Sequence, residues 1–399
     1  MRSRLTPIAI ETDDATTVTG AIGGPGNDVP ALLRPELRGE GGLSVRAATT
    51  FVGGAVQARL GAAWWVDDTH PLSFDGSAIS APFGAGRLYA SVERRHWGPA
   101  WAGSLILDGG ARPLPAIGWR KSDDTSFRTP LLSWIGPWNV DIFAGQLSQR
   151  QGPHDARLLG ARVQFMPLPG LELAASRTEQ WGGSGRPESL RSLLKVLIGH
   201  DNVDATQPDD NEPGNGLAGF DARYTLGLGA KRTVSVYGQG IGEDESGGWP
   251  SHYLATFGAD TAFAIGTAAL RLFVERADTS LNGAFGRPIL GSAYRHHIYT
   301  DGYTQQGDPL GHPAGGDVRL TSIGVIADAG AWTGTFMLHR GDAYATSQLY
   351  PGGGRLTGED GEVAWQIDPA SRIGLQVTRW RDPFATRTRA QVWWRRSFR

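Results

Sequence analysis

The amino-acid sequence predicts an all-β protein: one large antiparallel transmembrane β-barrel of about eighteen strands, good to two either way, with long extracellular loops. Three observations lead there. Short stretches of alternating apolar and polar residues recur at roughly one per 20 residues, a wider spacing than the 8–12 of soluble sandwiches. The connections alternate between tight turns and long Gly/Asp-rich loops, the asymmetry that outer-membrane barrels show between their periplasmic and extracellular ends. No apolar run approaches the 18 or so residues of a spanning helix. A bilayer can then be crossed only by a closed barrel, in which every backbone N–H and C=O finds a partner.

The composition agrees. The 399 residues include 57 Gly and 14 Trp but only 3 Met; membrane barrels place aromatic girdles at both interfaces. A formal net charge of −2 gives no global basic field, so no nucleic-acid partner is expected. Cysteine is absent, which excludes a disulfide scaffold and a zinc-thiolate site.

Taken in order, residues 1–40 are Gly/Pro-rich, with "GGPGNDVP" near the middle, and are read as an irregular N-terminal segment; residues 41–399 are read as the barrel. The opening "MRSRLTPIAIETDD" lacks the apolar core of a secretory signal. Since an outer-membrane protein needs export, the start is read as trimmed and the signal peptide as missing. "SVRAATTFVGGAVQARLGAAWWV" holds two strands hinged at Gly53-Gly54. "RLLGARVQFMPLPGLELAASRTEQW" holds two more joined at "PLPG", with Ala161, Val163 and Phe165 on one face and Arg162 and Gln164 on the other. Residues 185–216 are a long loop in which Leu190, Leu193, Leu194 and Leu197 recur at helical spacing after Pro187. They predict a short helix that caps or plugs the pore.

The second half repeats the pattern. Turns are expected near Gly229, Gly266 and Gly330 and at "DPAS". In the arm after Gly266, Leu270, Leu272 and Val274 oppose Arg271, Phe273 and Glu275. The terminal "RTRAQVWWRRSFR" sets Thr388, Ala390, Val392, Trp394, Arg396 and Phe398 on one face, suited to lipid, and Arg387, Arg389, Gln391, Trp393, Arg395, Ser397 and Arg399 on the other. A soluble sandwich or propeller is the competing architecture; a propeller would carry a fixed blade motif, and none is seen.

Six blocks, "ERRHWGPAWAGSLIL" with "RPLPAI", "SRTEQWGGSGRPESLRSLL", "DNEPGNGLAGFDARY", "GQGIGEDESGGWP", "FVERADTS" and "YRHHIYTDGYTQQGDPLGHPAGGD", follow one another between Glu93 and Asp317. In kind and order they resemble the Wzi family of capsule-assembly outer-membrane proteins. The resemblance implies a non-enzymatic, lectin-like barrel with a plugged lumen, which anchors and organises capsular polysaccharide at the cell surface. Its partners would be that polysaccharide, outer-membrane lipid and lipopolysaccharide; it would use no cofactor, and a monomer is expected. The family usually opens with a signal peptide and a periplasmic helical bundle, and this sequence carries neither pattern. His96 stands where a second tryptophan is expected, and Asp108 where a serine is.

Several side chains could carry chemistry. Sugar rings stack on aromatic faces, so Trp97, Trp101 and Trp181 are candidate glycan platforms; Arg94, Tyr303 and His312 complete the polysaccharide-binding candidates. The competing role for the tryptophans is girdle or plug packing. Glu243, Asp244, Glu245, Glu275 and Asp278 could in principle form the carboxylate pair of a glycosidase. Pairing with lumen arginines such as Arg94, Arg95, Arg271 and Arg276 is the expected outcome, and no catalytic residue is assigned. His296 and His297, read as strand neighbours, would point to opposite faces and share no metal. The acidic run Asp201, Asp204, Asp209, Asp210 and Glu212 lacks EF-hand spacing. No metal site is expected. The runner-up function is a porin-like diffusion channel for saccharides or other polar solutes; a third, an outer-membrane hydrolase, lacks an identifiable constellation.

Overall fold

Strand pairing in the chain runs in a ring. A computed structural model describes residues 16–23, 43–53, 55–65, 72–121, 123, 125–197, 214–229, 231–246 and 249–398. Among the described residues, nineteen strand segments pair in one sheet. Two of them, Leu72–Ser73 and Ala78–Phe83, lie along the same neighbour, Val56–Trp65, and are halves of one interrupted strand, which leaves eighteen places in the ring. The first strand, Thr16–Gly23, pairs on one side with Leu43–Gly53 and on the other with the last strand, Thr386–Phe398, so no edge is left open. Every pairing is antiparallel.

The closing strand lies inside the segment expected to be irregular, and residues 1–40 are corrected to that extent. "TTVTGAIG" offers few large apolar side chains, and its two glycines blur the alternation that marks the other strands.

Tight connections gather at one end: Phe83 to Gly86, Leu168 to Leu171, Ile265 to Ala268, Ala329 to Trp332 and Asp368 to Ser371. Both termini of the ring, Thr16 and Phe398, lie at that end. Gly266 and Gly330 adopt positive φ values of 60° and 71° there, a backbone region costly for any side chain with a Cβ. One longer connection, 122–137, also lies at this end, where Trp134 meets Phe165 edge-on. The opposite end carries the long loops, including 92–115, 147–156 and 279–317.

The alternation separates two surfaces. Outward residues are large and apolar: Leu60, Ile142, Phe220, Val236, Phe257, Val274, Phe336, Val363 and Val392 are all exposed. Trp332 and Trp365, stacked directly across from one another near the tight-turn end, form part of an aromatic girdle. Inward residues are polar and paired: Arg162 binds Asp221 with two hydrogen bonds of 2.6 and 3.0 Å, and Arg120 meets Asp141 at 2.7 Å. Apolar out and polar in is the reverse of a soluble sandwich. It is what a lipid solvent requires. Arg276, expected in the lumen, instead faces outward and donates to Thr321; its position shares the outward parity of Leu272 and Val274.

The abundance of glycine has a packing cause. Inward aromatics lie across glycines directly opposite on the next strand, as with Tyr237 on Gly258, Phe273 on Gly324 and Trp380 on Gly358. A Cβ on Gly258 would come within 2.3 Å of the Tyr237 ring, and one on Gly358 within 2.4 Å of Trp380. Glycine in these strands marks close approach.

The candidate site: a plug built from two loops

The lumen is filled from the long-loop end. Residues 92–115 and, of the 279–317 loop, residues 293–317 are mostly buried although they contain almost no regular secondary structure, whereas 284–290 stay largely exposed. The buried apolar side chains, among them Trp97, Leu105, Ile106, Tyr294, Tyr299, Tyr303 and Leu310, pack with Phe143, Leu217, Ile241 and Leu254 of the wall into one cluster.

An irregular loop in a closed space has backbone groups that must still be satisfied. The wall supplies the partners. The Glu275 carboxylate accepts the backbone N–H of Trp101 at 2.5 Å and of Ala102 at 2.9 Å, and the Tyr237 hydroxyl at 2.7 Å. The Gln239 side chain accepts the Leu105 N–H at 2.8 Å and donates to the Trp97 carbonyl at 2.6 Å. Glu243 accepts the Tyr294 N–H at 2.5 Å. From the plug side, the Tyr303 hydroxyl donates to Thr178 at 2.8 Å, and the Tyr294 hydroxyl donates to the Leu105 carbonyl at 2.7 Å, joining the two loops to each other.

These contacts revise the expected pairing of carboxylates with arginines. Glu275 and Glu243 bind loop amides. Asp278 does pair with an arginine, Arg319 at 2.8 Å, and beside the plug Asp260 meets Arg223 and, at 2.5 Å, Arg271, in addition to the Asp221 and Asp141 pairs of the wall. Asp260 also accepts the Trp101 indole N–H at 3.1 Å. Gln239 and Asp260 carried no signal in the sequence that set them apart from other polar lumen residues.

The six candidate binding residues fall in different places. Trp97, Tyr303 and His312 are buried in the plug at 3%, 1% and 3% exposure. Trp97 has Phe143 edge-on at 5.5 Å, and Tyr303 stacks on Tyr294 at 6.1 Å. Trp101 is half-buried in the lumen, with Arg271 over its ring at 4.7 Å and Phe273 stacked at 6.3 Å. Arg94 is half-buried at the start of the first plug loop. Trp181 stands apart at the long-loop end of its strand, covered by Arg157 at 5.4 Å and hydrogen-bonded to Ser192 of the helix Leu190–Leu197 at 3.2 Å. The structure thus gathers Trp97, Tyr303 and His312 into the plug interior and leaves Trp181 at the rim.

His96 and Asp108 are partners. His96 Nδ1 lies 3.1 Å from the Asp108 carboxylate and Nε2 lies 2.9 Å from the Ala100 carbonyl. Both ring nitrogens face oxygen atoms that can accept, an arrangement that favours the doubly protonated ring. Burial opposes that charge, yet the Asp108 hydrogen bond and charge raise the His96 pKa above its ordinary value. Asp108 also accepts the N–H of Ser104 at 3.1 Å and of Gly110 at 2.7 Å. His312 behaves oppositely: burial pushes it down to about 4, so it is neutral at physiological pH.

His296 and His297 do not diverge as strand neighbours would. Their segment is irregular, and the rings lie 4.6 Å apart. Among the described residues no group of three or more His, Cys, Asp or Glu could hold a metal ion. The acidic run from Asp201 to Glu212 lies outside the described residues.

Comparison with known proteins follows the same lines. Residues 33–328 match the family model described as capsule assembly protein Wzi. A protein of Klebsiella pneumoniae, described as an uncharacterized 55.8 kDa protein in the cps region, is 42% identical over 186 residues, 47% of this chain and 36% of that protein. The chain therefore matches only about a third of the length of its curated relative. Among solved structures, the Escherichia coli outer-membrane protein Wzi, described as a carbohydrate-binding β-barrel involved in group 1 capsule assembly, superposes with a TM-score of 0.81 at 27% identity, covering 95% of this chain and 83% of that one. Pseudomonas aeruginosa OprD superposes with a TM-score of 0.54 at 11% identity over 99% of both chains, a likeness of fold alone.

Proposed function

We propose, from the premise that this chain belongs to the Wzi family of capsule assembly proteins, that it is an outer-membrane lectin-like barrel that anchors capsular polysaccharide at the cell surface without catalysis. The observation that carries this reading over the porin alternative is the filled lumen. A diffusion channel needs a continuous polar path, and here two loops occupy it and are bonded to the wall on several sides. The carbohydrate-binding description of the Escherichia coli relative supports the same choice.

Polysaccharide binding is assigned to the long-loop end. A long polymer touching many weak sites gains avidity well beyond any single contact, so no deep pocket is required. Of the six candidates, Arg94 and Trp101 retain accessible surface. Trp97, Trp181, Tyr303 and His312 act by holding the loops in the shape that the polymer meets. Deleting the gene is expected to release polymer into the medium while synthesis continues. Capsule that stays cell-bound in the deletion strain would refute the tethering role.

A further inference from the structure

On the lipid-facing wall, Ala58, Ile79, Ala90, Ile117 and Ala144 stand directly opposite one another on five successive strands. All five share the outward parity of their strands. Small and branched residues alternate along this row, and the three alanines leave a depression between the isoleucines, which are 51% and 67% exposed. The depression belongs to a groove of about 590 Å³, also lined by Leu60 and, toward the long-loop end, by Gln146 and Arg157.

Neighbouring strands lie about 4.8 Å apart, so five strands carry the row across about 19 Å. With strands tilted by about 35–45°, the row climbs about 11–13 Å along the membrane normal, comparable with the ~15 Å half-thickness of a bilayer's hydrocarbon core. The wall is also unusual here. The strand segments Ala78–Phe83, Gly86–Ser91 and Ala116–Lys121 have six residues each, fewer than the 9–11 or so that span a bilayer.

We propose that this groove holds an acyl chain of one lipopolysaccharide molecule, with the lipid's anionic head at Arg157. The inference rests on the outer-membrane reading and not on polysaccharide binding. Its occupant follows from position. The groove faces the acyl phase, and its polar end opens on the side of the long loops, the cell-surface leaflet, whose lipid is lipopolysaccharide. Arg157 binds Glu188 at 2.7 Å and is only partly covered. A guanidinium has five donors, so it can serve a phosphate beside that carboxylate, and its fork matches phosphate geometry.

The test uses the intact barrel in detergent, stripped of lipid, then exposed to lipopolysaccharide or to phosphatidylethanolamine and read by native mass spectrometry. The unaltered protein is expected to retain about one lipopolysaccharide, the one-chain groove setting that number. Ala90→Phe and Ala144→Phe fill the groove and are expected to lower retention at least severalfold. Val363→Phe, on lipid-facing wall elsewhere, should leave it unchanged. Heat-modifiable mobility in gels reports folding. Should a filled variant not fold, Arg157→Gln carries the test by its own loss of retention. Equal retention in all variants, or preference for phosphatidylethanolamine, would overturn the proposal, and either result leaves the capsule-release test untouched.

Discussion

Replacing Glu275 by alanine should unlatch the plug. Glu275 is 4% exposed and receives three donors: the Trp101 and Ala102 amides and the Tyr237 hydroxyl. Leaving a buried donor without its acceptor costs about 1–3 kcal/mol, so the three together amount to roughly 3–9 kcal/mol against the docked loop. At 1.4 kcal/mol per decade, the undocked population rises by at least about a hundredfold. Two assays read this. Amide hydrogen exchange at Trp101 and Ala102 should accelerate by at least that factor, because local opening governs exchange. In a planar bilayer, the unaltered barrel should show no steady conductance, whereas the variant should show openings. Glu275→Gln keeps one carbonyl acceptor and should fall between the two. A variant that stays silent in the bilayer, with unchanged exchange at both amides, would refute the claim that this carboxylate holds the plug.

Other expectations follow from the same contacts. His96 and Asp108 should behave as one unit: His96→Trp or Asp108→Ser alone should destabilise the first plug loop, and the double variant should recover part of the loss, with a coupling of about 0.5–3 kcal/mol in a double-mutant cycle. The two histidines should oppose each other in pH dependence. His312 has its pKa lowered to about 4, so its contribution is full above the unfolded value of about 6.5 and declines as pH falls toward 4, by about 1.4 kcal/mol per pH unit. His96 is raised, so its contribution is full below about 6.5 and declines as pH climbs through its folded value. Exchange measured across pH on His312→Gln and His96→Gln variants separates the two limbs. Gly258→Val should displace Tyr237 from above it, break the Tyr237–Glu275 bond, and lower the temperature at which heat-modifiable mobility is lost; Gly53→Ala, with nothing near its Cβ, should not.

Much of the wall could be read in advance because lipid enforces it. A strand with Val163 against acyl chains and Arg162 against Asp221 can slip by one residue only by exchanging every such pair. The alternation in "ARVQF" is therefore unambiguous, and so are the turns at Gly266 and Gly330. Thr16–Gly23 escaped because threonine and glycine tolerate either face. The plug was far less legible. Its segments have no period, and Trp97 is buried through contacts with Phe143, more than forty positions on. The blocks around "HWGPAWAG" and "YRHHIYTDGY" did mark the two loops as special, but they could not say that the loops fold inward. His96 and Asp108 read singly as two departures from the family pattern; only proximity shows that they answer each other.

The placement of the carboxylates follows from what a plug of irregular loop demands. A strand satisfies its amides with its neighbour, but the chain leaves that ladder after Val92 and does not rejoin it until Pro115. Water cannot serve every amide in a packed lumen, so the wall must present acceptors at fixed heights. A carboxylate suits the task, since it can take several donors at once and binds them more strongly than a neutral oxygen. Glu275 does so with three donors, and Glu243 takes the Tyr294 amide. Asp260, equally buried, instead neutralises Arg223 and Arg271, whose planes in turn cover Trp101. The negative charge of the lumen is thus divided between holding loop backbone and holding cations. An arginine introduced beside Glu275, as in Phe273→Arg, should therefore compete with the Trp101 and Ala102 amides and loosen the plug, even though it adds an ion pair to the wall. Because Phe273 also stacks on Trp101, Phe273→Leu serves as the control: exchange at those two amides would quicken beyond that control if the competition operates and would match it if the carboxylate serves both.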